Sequence, residues 1–188
     1  MSDLSPQHLD MMARIIEGRV VEDPRFEVCI KGTVLGFPAT LQAIKAGWPF
    51  GTTYTIETQV IDDPNAPIRP DSLQLVISPR LTHGIMAFFA KLLLFEPTGQ
   101  RMTDKRMEKD FLFSHNNALE ADRFVKYPGV YDNLLHLSEF AKFNELVVRA
   151  HAGLVLTQPT NFNSLDADIY RETFKVMADI GQTLFEAF

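Results

Sequence analysis

Three polar residues have a spacing that metal ligands or an acid–base pair could use. Asp132, His136 and Glu139 stand at i, i+4 and i+7, so a helix would carry all three on one face. An imidazole between two carboxylates could hold a divalent cation or a proton. Their neighbours give a plainer reading. Val130, Leu134, Leu137 and Ala141 recur on the opposite face, which makes the polar trio the wet side of an amphipathic helix.

The other histidines are weighed in the same way. His151 follows Arg149 in a predicted hairpin turn, where a cation nearby would favour the neutral imidazole that accepts protons. A water-exposed turn histidine is the plainer and favoured reading. His83 and His115 would need Asp104 or Asp110 brought beside them to make a metal site, and their spacing gives no sign of it. Cys29, between Glu27 and Lys31, has no clearly electropositive setting, so it reads as a small strand residue.

Familiar catalytic frameworks are absent from the chain. It has no G-x-S-x-G, no G-x-G-x-x-G, no G-x-x-x-x-G-K-[ST] and no H-E-x-x-H. Gly32 and Gly36 are not followed by a helix start, and a hairpin turn is expected there. An enzyme built on this chain would have to assemble its site from distant residues. The polar candidates are then His115, His136, His151 and Arg149, acting with nearby carboxylates on a small molecule. No metal or cofactor is implied.

Apolar surface is the stronger signal. The stretch 84–95 is apolar nearly all round and includes Ile85, Phe88, Phe89 and Leu92. Such a helix is either central to the core or completes its burial against a partner, a ligand or a membrane surface. The C-terminal helix has the same character. Leu165, Tyr170, Phe174, Met177, Leu184 and Phe185 lie within an apolar arc near half the circumference. One sheet needs a narrower stripe, so a second element, either another helix or a second copy of the chain, is expected along it.

These residues must be positioned by a recognisable series of elements. Ser5 and Pro6 open a first helix that ends near Gly18. Between 26 and 80 the period changes to two, giving four strand runs broken by Gly and Pro, which favours an antiparallel meander. A helix is expected over 83–95, followed by a polar loop. Residues 110–160 read as a strand, two helices split at Tyr127-Pro128-Gly129, and a hairpin. The last helix covers 165–188, capped by Ser164 or Asp166. Strands before helices, without βα alternation, give an α+β domain. About six or seven antiparallel strands should pack on the long C-terminal helix.

Bulk properties set the outer limits. A chain of 188 residues with 46% hydrophobic and 22% charged residues supports a full core in a single domain. A net charge of -6 argues against nucleic acid as a partner. No apolar run reaches the about 18–20 residues of a membrane span. One cysteine and no secretory pattern at the N-terminus predict a cytoplasmic protein. The expected function is a non-enzymatic binding or protein-interaction module using an apolar pocket or helix surface. A homodimer, a small apolar ligand or a protein partner would fit that surface. Its expected residues are Ile85, Phe88, Phe89, Leu92, Phe174 and Phe185. The alternative is the enzyme with a histidine–carboxylate site.

Overall fold

The computed structural model describes residues 6–43, 52–57, 73–80, 102, 105–150, 152–158 and 166–188. Among the described residues eight strands form one sheet: β1 (Arg19–Val20), β2 (Val28–Val34), β3 (Phe37–Ala43), β4 (Thr52–Glu57), β5 (Gln74–Pro79), β6 (Phe111–His115), β7 (Glu145–Arg149) and β8 (Gly153–Gln158). Five helices accompany them among the described residues: α1 (Pro6–Ile15), α2 (Lys105–Asp110), α3 (Ala118–Val125), α4 (Val130–Phe140) and α5 (Ala167–Ala187). The architecture is α+β with an antiparallel sheet, as the switch in period predicts. The expected helix over 83–95 lies outside the described residues.

The sheet runs β1-β2-β3-β4-β8-β7-β5-β6, and every neighbouring pair is antiparallel. Strands β1 to β4 make a meander. Strand β5 leaves it, because the β7–β8 hairpin sits between β4 and β5. Burial gives the reason. Leu146, Val148, Leu154 and Leu156 are all 0% exposed, so the hairpin belongs at the centre, with a strand on each side.

Register builds the core row by row. Ile30 pairs with Leu41, Leu41 with Tyr54, Tyr54 with Leu156, Leu156 with Leu146, Leu146 with Ile77, and Ile77 with Phe113. Side chains alternate along strands, so Ile30, Leu41, Leu156, Leu146, Ile77 and Phe113 share one face. The adjacent row on the other face includes Lys31, Thr40, Thr55, Val155, Val147, Val76 and Ser114, all exposed or half-buried.

Helix α5 crosses the covered face and touches β2, β4 and β8, with α1, α3 and α4 beside it. The wide apolar arc thus meets a sheet and three helices of the same chain. Asp166 caps α5, its carboxylate accepting from the amides of Asp168 at 2.7 Å and Ile169 at 3.3 Å. Both satisfy donors that a helix start leaves bare.

Helix α1 ends in a way that its sequence only half reveals. Gly18 looks like the stop, yet Glu17 takes the left-handed conformation, with φ 48°. The Gly18 amide then donates to the Ala13 carbonyl at 2.8 Å, closing the last turn. Gly18 is needed for another reason. A Cβ there would lie 2.3 Å from the Lys31 carbonyl oxygen, and one on Gly32 would lie 2.0 Å from the Ile16 oxygen. The two glycines mark where the tail of α1 crosses β2, backbone on backbone. Gly32 is therefore a strand residue, and the β2–β3 turn is made by Leu35 and Gly36, with φ 51° and 86°. The polar stretch before β6, expected to be loop, contains α2, which buries only Met107.

Candidate interaction surface

The C-terminal end of α5 meets α3 at an exposed corner. Two neighbouring asparagines set the position of α3. Asn116 accepts the Gln74 amide on its side chain at 2.8 Å and donates its own amide to the Gln74 carbonyl, tying the helix start to β5. Asn117 caps the helix, its side chain accepting from Leu119 and Glu120 amides at 3.1 and 3.2 Å. Ala121, Phe124 and Val125 point inward and fix the rotation of the helix. Leu119 is thereby turned into water, where it is 82% exposed.

The same rotation places Arg123, one turn after Leu119, over the Phe188 ring, 5.3 Å from its centroid. Tyr127 donates its hydroxyl proton to Glu186 at 3.1 Å, and this hydrogen bond raises its pKa. Gln182 donates to the other Glu186 oxygen at 2.8 Å. Phe185, one turn before Phe188, is 58% exposed. The corner combines two exposed apolar side chains with an Arg–aromatic pair and a neighbouring Tyr127–Glu186–Gln182 hydrogen-bond chain. Phe, Tyr and Arg are side-chain types enriched where proteins meet.

The sequence-derived candidates fall in different places. Phe185 is on the corner. Phe174 is 1% exposed and packs edge-on against Tyr170, with ring centroids 5.1 Å apart, so it belongs to the core and not to a partner surface. Ile85, Phe88, Phe89, Leu92, His83, Asp104 and His151 lie outside the described residues. Among the described residues of the long helix, Tyr170, Phe174, Met177 and Leu184 are at most 1% exposed and belong to the core.

The polar candidates do not converge. His115 ends β6 on the covered face, paired with Leu75. Arg149 pairs with Gln74, so it stands in the next row and on the opposite face. His136 is exposed on α4, where its Nε2 meets Glu172 at 3.2 Å and its ring lies tilted against Phe140, centroids 4.6 Å apart. No hydrogen bond or ion pair joins His136 to Arg149 or to His115. Asp110 accepts the Tyr131 hydroxyl at 2.7 Å, at the far end of β6 from His115. Asp132 and Glu139 are exposed with His136, on the wet side of α4. Among the described residues, no group of three or more His, Cys, Asp or Glu could hold a metal ion. No helix there is long and apolar enough to cross a membrane.

Cys29 is 2% exposed, and burial raises its pKa against the small opposing pull of Lys31. The thiol should stay protonated and shielded. A thiol-reactive dye at pH 8 is expected to label it slowly in the native protein and at once after denaturation. Fast native labelling would mean that the thiol is not buried in β2 as described.

Of the corner residues, Phe185 is among the sequence candidates, and Leu119, Arg123, Tyr127 and Phe188 are not. One signal was available. On a wheel of α3, Leu119 stands well away from Ala121, Phe124 and Val125, which makes it an apolar residue on a polar side. No protein-family model, curated protein or solved structure matches the chain.

Proposed function

We propose that the chain is a non-enzymatic protein-interaction module that docks a partner protein on the α3–α5 corner. The observation supporting this most is the exposure of Leu119 and Phe185 beside the Arg123–Phe188 pair. Burying one such side chain contributes about 1.5–3 kcal/mol. Two would provide a substantial part of the about 8 kcal/mol behind a micromolar complex. Arg123 and Glu186 beside them offer charges that orient the partner. The scattered His115, His136 and Arg149 give the enzyme reading no matching support.

A photo-crosslinking residue placed at Phe185 tests this, with Leu35, also exposed, as the control position. In extracts of cells that express the protein, position 185 should give one dominant protein adduct, lost when Leu119→Glu is added. Equal labelling at 185 and 35, or no adduct, would overturn the proposal.

A further inference from the structure

A second surface lies at the other end of α5. Between α1 and the start of α5 runs a groove of about 600 Å3, lined by Gln7, Asp10, Met11, Arg14, Ile15 and Arg171. Arg171 and Phe185 are fourteen residues apart, about 21 Å along the helix, so this surface is separate from the corner.

We propose that this groove is a two-fold self-association surface that receives α1 of a second copy, running antiparallel. Charge complementarity carries the argument. Asp10 and Arg14 lie one turn apart on α1, yet they make no ion pair with each other or with any described residue. A two-fold axis passing between them sets Asp10 of each copy against Arg14 of the other and makes both pairs at once. Met11 sits beside them with 42% of its surface exposed and supplies the apolar centre. Arg171 is already bound to Asp168 at 2.7 Å, so it frames the groove, and among the described lining residues Arg14 is the cation without an ion pair. The surface thus contains both halves of its own complement, which an isologous contact requires.

Charge reversal in separate chains tests this without disturbing the core, since Asp10 and Arg14 are both exposed. Sedimentation equilibrium over a concentration series at low salt should show a monomer–dimer equilibrium for the wild type. Asp10→Arg alone and Arg14→Glu alone should each weaken it at least tenfold, because each sets like charges together twice. Mixing the two variants should restore a dimer, now heteromeric, with Arg against Glu and Arg against Asp. A wild type that stays monomeric to high concentration would overturn the proposal. So would variants that dimerise as well as the wild type, or a mixture that fails to associate. Circular dichroism of each variant separates these outcomes from misfolding.

Discussion

Gly32→Ala should destabilise the protein by about 3 kcal/mol, at the upper end of ordinary overpacking costs. The new Cβ would lie 2.0 Å from the Ile16 oxygen and 2.7 Å from the Gly18 Cα. Both are backbone atoms, so no side chain can swing aside. The tail of α1 must lift from β2. That breaks the hydrogen bond from the Thr33 amide to the Ile16 oxygen, at 2.6 Å, and loosens Met12, Ala13 and Ile16, none more than 4% exposed. Gly18→Ala should behave alike, and the double variant should cost less than the sum, because one displacement relieves both clashes. Gly36→Ala is the contrast. Its φ is 86°, but nothing lies within 4 Å of a Cβ there, so only left-handed strain of about 1–2 kcal/mol applies. Urea unfolding of the four variants measures this. Equal costs at 32 and 36 would remove the close crossing.

The second large effect separates two phenylalanines on one helix. Phe174→Ala should cost about 3–5 kcal/mol, as for a fully buried ring. Phe185→Ala should change stability by less than about 0.5 kcal/mol, as for a surface site. Partner binding should reverse the order. Phe185→Ala should weaken it, while Phe174→Ala should affect it only through loss of folded protein. Thermal unfolding together with the crosslinking yield reads both quantities. A destabilising Phe185→Ala would place that ring in the core and remove the corner as a surface.

These two rings also show where a sequence stops being informative. Eleven residues are about three turns, so Phe174 and Phe185 point in nearly the same direction on the wheel. Their exposures are 1% and 58%. The difference is axial: it depends on what covers the helix at each level, which periodicity does not encode. Local chemistry was legible. Asn117 and Asp166 sit where capping residues belong, the inner face of α4 is Val130, Leu134 and Leu137, and period-two runs mark β2 to β5. Insertion of the hairpin between β4 and β5 was not, because that pairing joins segments about a hundred residues apart in the chain. Two-residue β1 is too short for any period, and α2 buries one residue, too few to make a stripe. Gly32 looked like a turn residue because close backbone approach and positive φ both select glycine.

Migration of the protein in gently lysed cells bears most directly on the corner. Wild type and the Leu119→Glu/Phe185→Glu double variant should be expressed at equal levels and sized by gel filtration. Both substitutions fall on exposed residues and leave the α1 groove intact. The wild type is expected in a complex well above the 21.3 kDa of its own chain, with the variant shifted to the size of the protein alone or of its self-associated form. Identical elution of the two would contradict a partner docked on Leu119 and Phe185.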